Sequence, residues 1–278
     1  MISKRTEKIT LLKVGGSVLT KKDAESAANM ERIRGISEEI ALWWNNSKRL
    51  ILVLGAGSFG HPFAEKYDLN EEVPHKSPIG FSETTASMRK LSIIVAEELI
   101  ALDVPIFPLQ PSCFFLLKEG RIFRGDSSIV LHALDRGLLP LLWGDVVMDT
   151  EHTYRILSGD QIMSYFYENL PSDRMLFGTN VDGILAEEGT NHVIERLEDS
   201  DFSFIKEVAG GSRCVDVTGG MKGKLLEIWK TQKRPLEALI FNASIEGNIS
   251  KALMGQKIGT RITLAETAQG DSPSETLS

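Results

Sequence analysis

Apolar runs of strand length recur along the chain and alternate with segments whose apolar residues fall every three or four positions. Ile9–Val14, Leu50–Leu54, Pro105–Leu109, Leu138–Trp143, Arg174–Gly178, Leu236–Asn242 and Arg261–Leu264 read as strands. Met30–Trp44 puts Ile33, Ile36, Ile40 and Trp44 on one helical face, and Ser82–Leu102 does the same with Met88, Leu91, Val95 and Leu99, Ser82 being the expected N-cap. Ser127–Arg136, stopped by Gly137, reads as a further helix, as do Gly159–Asn169, Gly220–Lys230 and Asn248–Met254. Val147–Asp149 and Tyr154–Leu157 suit a hairpin. This alternation predicts a mainly parallel sheet covered by helices on both faces. Such sheets bind ligands at the carboxyl ends of their strands, and glycines and charged residues gather at those ends here.

The composition narrows the classes. With 278 residues, 42% of them hydrophobic and 25% charged, the chain can bury a large core in one domain or two joined lobes. A net charge of -7 argues against a nucleic-acid partner. It leaves small anions open, because a few local cations and backbone N–H groups suffice for those. Cys113 and Cys214 have no metal-ligand or disulfide-framework spacing. The polar start lacks a signal-peptide run and no apolar stretch reaches membrane-spanning length, so a cytoplasmic protein without a membrane partner is expected. The composition after Ala265 predicts a disordered tail.

Five segments carry candidate chemistry. Lys13-Val14-Gly15-Gly16-Ser17, followed by Lys22, ends the first strand. Its glycines allow close backbone approach to phosphate oxygens, and a phosphate partner would account for a lysine inside an apolar strand. A plain glycine turn with a snorkelling lysine reads equally well from this segment alone. Gly55-Ala56-Gly57-Ser58-Phe59-Gly60-His61 ends the second strand and offers His61 to an anion. It is not a dinucleotide fingerprint, and no GxxxxGK[ST] loop occurs. Gly144-Asp145 and Ser158-Gly159-Asp160 place aspartates after glycines, to orient lysines, to meet a metal or, for Asp160, to cap a helix. Gly178-Thr179-Asn180-Val181-Asp182-Gly183 suits a nucleotide-side loop. Asp216-Val217-Thr218-Gly219-Gly220-Met221-Lys222-Gly223-Lys224 opens a helix with glycines and sets Lys224 one turn in. Together they suit in-line phosphoryl transfer by an ATP-dependent small-molecule kinase, which needs positioned cations and no covalent nucleophile.

In order and spacing these segments resemble the amino acid kinase superfamily, over nearly the whole length from Ile9 to about Thr263. The GAGSFGH loop with its histidine, the KxGGSxxTxK start, Leu109–Ser112 and Gly259-Thr260-Arg261-Ile262 resemble isopentenyl phosphate kinases within it. Many of those carry histidine where Leu54 stands, a position in the strand rather than on the loop. The resemblance implies an open αβα sandwich, with an acceptor-binding lobe over about 1–172 and a nucleotide-binding lobe over about 173–265. It implies a homodimer, ATP and Mg2+, and conversion of isopentenyl phosphate to isopentenyl diphosphate. By position, Lys13, Lys22, His61 and Asp160 would be catalytic, with His61 on the acceptor phosphate and Asp160 orienting the lysines. Ala56, Gly57, Gly144 and Gly159 would meet the acceptor, and Gly15, Gly16, Ser17, Gly57, Asp182, Gly220 and Lys224 would lie with Lys13 on the ATP side. No protein residue is expected to ligate a metal. Fosfomycin kinases also resemble this pattern, so a kinase of another small anionic acceptor is the alternative. A nucleotide sensor without catalysis is a third reading, one that would not need the lysines. The helix from Ser82 and the segment Phe107–Phe115 are the expected apolar walls for an isopentenyl tail.

Overall fold

The computed structural model describes residues 8–21, 25–47, 49–69, 77–186, 192–201, 219–231, 233 and 235–265. Lys22, Cys214, the stretch 216–218 and the tail after Ala265 lie outside the described residues. In chain order the strands are β1 (Ile9–Val14), β2 (Leu50–Leu54), β3 (Ile106–Pro108), β4 (Leu116–Lys118), β5 (Arg121–Arg124), β6 (Leu139–Trp143), β7 (Asp145–Met148), β8 (Tyr154–Leu157), β9 (Ser172–Thr179), β10 (Arg196–Glu198), β11 (Leu236–Asn242) and β12 (Thr260–Leu264). The helices are α1 (Gly16–Leu19), α2 (Met30–Ser47), α3 (His61–Lys66), α4 (Pro78–Ile100), α5 (Pro111–Phe114), α6 (Ser127–Asp135), α7 (Gly159–Asn169), α8 (Gly219–Lys230) and α9 (Asn248–Leu253).

Eight strands form one sheet in the order β10-β12-β11-β9-β1-β2-β6-β3, and every neighbouring pair is parallel except β11–β12. Every residue of β1, β2 and β6 is buried, as strands covered on both faces must be. Helix α7 packs on β1, β2 and β9 and touches α8; α4 packs on β3 and β6, beside α2. The crossovers from β1 to β2 and from β6 back to β9 run in opposite directions along the sheet, so the right-handed rule for parallel connections puts α2 and α7 on opposite faces. The result is the expected three-layer αβα sandwich. Ile33, Ile36, Ile40 and Trp44 of α2 and Met88, Leu91, Val95 and Leu99 of α4 are all buried.

Three features differ from the sequence reading. Helix α4 starts at Pro78 with Ser77 at the N-cap, and the Ser82 hydroxyl instead donates to Pro78 O at 3.3 Å. Proline at the first helical position has a suitable φ and no N–H to leave unpaired, which explains the earlier start. The β4–β5 hairpin turns on Glu119 (φ 50°) and Gly120 (φ 74°), a left-handed pair without the Asn-Gly or Asp-Gly signal. Strand β10 is three residues long and pairs only at the sheet edge, with β12.

Candidate active site

Strands β1 and β2 end level, with Val14 opposite Leu54. Gly15 donates to Gly178 O and Gly55 to Val14 O, each at 2.8 Å, which ties the ends of β9, β1 and β2 together. The two glycine segments then pack directly on each other. A Cβ on Gly16 would lie 2.0 Å from Gly57 N, and one on Gly55 would lie 2.4 Å from Gly16 N. Gly57 also has a φ of +51°. Backbone-on-backbone contact therefore requires glycine here, a reason distinct from approach to a ligand. Both segments line one cavity of about 670 Å3 at the carboxyl end of the sheet, which Gly15, Gly16, Ser17 and Ala56 border.

At the cavity floor, Lys13 Nζ lies 2.7 Å from Asp160 Oδ2, and Lys224 Nζ lies 2.8 Å from Asp160 Oδ1. Both lysines are buried, and Lys224 also sits 4.7 Å above the Phe177 ring centroid. The partner of Lys13 within the strand is thus a carboxylate of the chain itself, where the sequence suggested a phosphate. A Cβ on Gly159 would lie 3.0 Å from Lys13 Cε, so glycine at the start of α7 makes room for the lysine to pass. Ser158 caps α7 by accepting the Gln161 N–H at 3.2 Å, which leaves the Asp160 carboxylate to the lysines.

Burial pushes the Lys13 ammonium down, the charge of Lys224 adds to this and Asp160 opposes it, so Lys13 titrates at about 8. Burial alone would raise Asp160, but the two ammonium groups outweigh it and hold the carboxyl at about 2. Two cations on one carboxylate make this cluster itself net positive, costly to bury alone and suited to a phosphate; Asp145 and Glu227 also border the cavity. Asp145 does not join this cluster. Its carboxylate accepts from Val146 N at 2.9 Å and Ser112 N at 3.3 Å, and burial raises its pKa.

His61 opens α3 and borders the cavity, exposed as a residue but with its ring partly desolvated. Burial and the Lys13 charge lower its pKa, so the ring is neutral at pH 7 and offers one N–H donor. Past it, Ala64, Met88, Val146 and Ile156 form an apolar wall drawn from α3, α4, β7 and β8. The wall expected from Phe107–Phe115 is absent among the described lining residues. Phe114 and Phe115 pack into an aromatic cluster instead, with Phe115 edge-on to Tyr165 at 5.2 Å and Phe114 6.3 Å from Phe166. Val146 and Ile156, paired across their hairpin, carry no inward-face signal in the sequence, because their strands do not alternate apolar with polar residues and buried residues stand on both faces. Gly144 borders the cavity, but its N–H is occupied by Leu54 O at 3.0 Å.

On the other side, Thr179, Asn180, Val181, Gly220 and Lys224 border the cavity. Ser17 Oγ donates to Asn180 Oδ1 at 3.2 Å and joins the first glycine segment to this side. Gly220 has open space where a Cβ would stand. Asp182 lies outside the cavity lining and accepts from Asn242 Nδ2 at 2.8 Å. Among the described residues no group of three or more His, Cys, Asp or Glu side chains is placed to hold a metal, and both Asp160 oxygens are taken by lysines.

The family model described as "Amino acid kinase family" matches residues 8–242. The isopentenyl phosphate kinase of Methanothermobacter thermautotrophicus is 37% identical over 263 residues, covering 91% of this chain and 98% of that one. The isopentenyl phosphate kinase of Methanocaldococcus jannaschii is 36% identical over 267 residues, covering 93% and 100%. An X-ray structure of isopentenyl phosphate kinase superimposes with a TM-score of 0.79 at 33% identity, over 92% of this chain and 100% of that one. Likeness of that extent, on a parallel sheet whose glycine ends enclose a cationic floor, places the chain in the amino acid kinase family, among its isopentenyl phosphate kinases.

Proposed function

We propose that this chain transfers the γ-phosphoryl group of ATP to the phosphate of isopentenyl phosphate, yielding ADP and isopentenyl diphosphate for isoprenoid biosynthesis. The observation that carries the reading is one cavity holding both a buried net-positive cluster, Lys13–Asp160–Lys224, and an apolar wall beyond His61. The first suits phosphates and the second suits a short hydrocarbon tail. The isopentenyl phosphate kinases that match the chain nearly end to end support the same acceptor over fosfomycin.

In this reading an ionised oxygen of the acceptor attacks the γ-phosphorus as the bond to ADP breaks, so no general base is needed. Lys13 and Lys22 neutralise the group in flight, and Asp160 sets the directions of Lys13 and Lys224. His61 donates to the acceptor phosphate beside backbone groups of Ala56 and Gly159; Gly57 lies outside the cavity lining, packed on Gly16. Gly15, Gly16, Ser17, Gly220 and Lys224, which border the cavity, serve the ATP side. Mg2+ arrives as part of MgATP, held mainly by phosphate oxygens. The enzyme works as a cytoplasmic homodimer in the same reading. Leu42 on α2 and Ile93 and Ile100 on α4, exposed apolar residues on two helices that pack together, are the contacts proposed for it.

The test is ADP release with isopentenyl phosphate, fosfomycin and glutamate as separate acceptors. Turnover of isopentenyl phosphate well above the others supports the proposal. Turnover of another acceptor with none of isopentenyl phosphate refutes it.

A further inference from the structure

Thr20 is a buried polar residue at the junction of the two glycine segments, and the transfer chemistry above gives it no role. Its hydroxyl donates to Gly16 O at 2.8 Å and accepts from Ser58 N at 3.0 Å. It thereby bonds the β1 loop and the β2 loop at once. The surroundings leave little slack: a Cβ on Gly57 would lie 2.3 Å from Thr20 Oγ1 and 2.6 Å from Gly16 O. A second tie runs beside it. Ser26, at φ 51°, donates its N–H to Ser58 O at 3.0 Å, and Ser58 Oγ bonds Ala27 O at 3.5 Å.

We infer that Thr20 is a positioning residue for phosphoryl transfer: its hydroxyl, bonded to both segments, sets together with the Ser26–Ser58 tie the gap between the loop that borders the donor phosphates and the loop that leads to His61. This rests on the proposed assignment of those loops to donor and acceptor. An in-line transfer depends steeply on that gap, because both reacting groups are held by loop backbone rather than by a covalent intermediate. The hydroxyl touches neither reactant. Its loss therefore lets both ligands bind but misaligns them.

The experiment compares Thr20→Val, which keeps the shape and removes the hydroxyl, with Thr20→Ser, which keeps the hydroxyl. The acceptor is whichever one the wild type turns over, so a wrong substrate assignment is seen in the wild type and not confused with failure here. Thr20→Val is expected to lose about 100-fold in kcat, the scale of a misplacement near 1 Å, with KM for MgATP and acceptor within about threefold. Uncoupled ATP hydrolysis should rise relative to transfer. Thr20→Ser should recover kcat to within about fivefold of wild type. Amide hydrogen exchange of a peptide covering residues 55–60 should speed up in Thr20→Val and not in Thr20→Ser, a readout that needs no acceptor. Wild-type kcat in Thr20→Val, equal losses in both variants, or unchanged exchange in Thr20→Val would overturn the inference. If Thr20→Val does not fold, the Thr20→Ser values decide alone: a kcat loss above tenfold contradicts the role.

Discussion

Asp160 binds one ammonium with each carboxylate oxygen, and that division of labour has measurable consequences at the scale of single residues. Asp160→Asn leaves two buried lysines without their counter-charge. It should cost on the order of 3 kcal/mol of stability in denaturant unfolding, together with most of kcat. Retained stability and turnover would show that the lysines are held by something else. Lys13 gives a pH signature. Its ammonium titrates at about 8, and an anion beside it favours the charged form. Nucleotide affinity should therefore be full below that value and fall as pH rises through it, by at most about tenfold per unit. Lys13→Arg stays charged throughout, so calorimetry should find its affinity flat over the same range. The depressed pKa also means the unfolded chain binds more protons between about 8 and 10.5, so the Lys13 contribution to fold stability rises across that window. His61→Ala should lower kcat/KM for the acceptor by roughly 10- to 100-fold, the worth of one hydrogen bond to a charged group, and leave ATP binding unchanged. Equal losses for both ligands would place the histidine elsewhere in the cycle.

Elements differ in how openly the sequence declared them. The long apolar strands and the striped helices α2 and α4 were legible because their burial pattern is itself the signal. The start of α4 is hard to read because Ser82 mimics a cap, while Ser77-Pro78 fixes the true one. The β4–β5 hairpin was missed because Glu119 adopts a left-handed turn that glutamate rarely signals. Gly15-Gly16 and Gly55-Ala56-Gly57 were legible as a pair of strand ends, but not as surfaces that pack on each other. No local rule reports a contact between segments this distant in the chain. Asp160 is legible through the family resemblance, which sets it to orient the lysines; spacing alone says only that a lysine inside a strand demands a counter-charge. The two kinds of glycine separate by experiment. Gly16→Ala would drive a Cβ into Gly57 backbone and should destabilise by about 2 kcal/mol or more. Gly220→Ala points into open space and should leave the melting temperature unchanged. Equal melting temperatures for both variants would contradict the packed-loop geometry. On the apolar wall, Met88→Ala should enlarge the tail subsite and raise the kcat/KM ratio for a ten-carbon prenyl phosphate over isopentenyl phosphate. An unchanged ratio would mean the tail lies elsewhere.

At the scale of the whole molecule, an acidic chain of net charge -7 keeps a small positive centre where the strand ends of its sheet converge. In the proposed reading negative ligands are bound by that local field and not by the surface as a whole. The parallel order β9-β1-β2-β6 brings Lys13, the glycine segments and Gly144 to one edge, and the flanking α7 and α8 deliver Asp160 and Lys224 to the same point. If Leu42, Ile93 and Ile100 form a self-associating face, sedimentation should give about twice 30.7 kDa, and charged substitutions there should give the monomer mass. The most direct measurement is phosphorus NMR of a reaction holding the protein, MgATP and isopentenyl phosphate. The expected spectrum shows the acceptor monophosphate signal replaced by the coupled doublets of a diphosphate monoester, in step with ADP. ADP formation with the acceptor signal unchanged would contradict transfer to that phosphate.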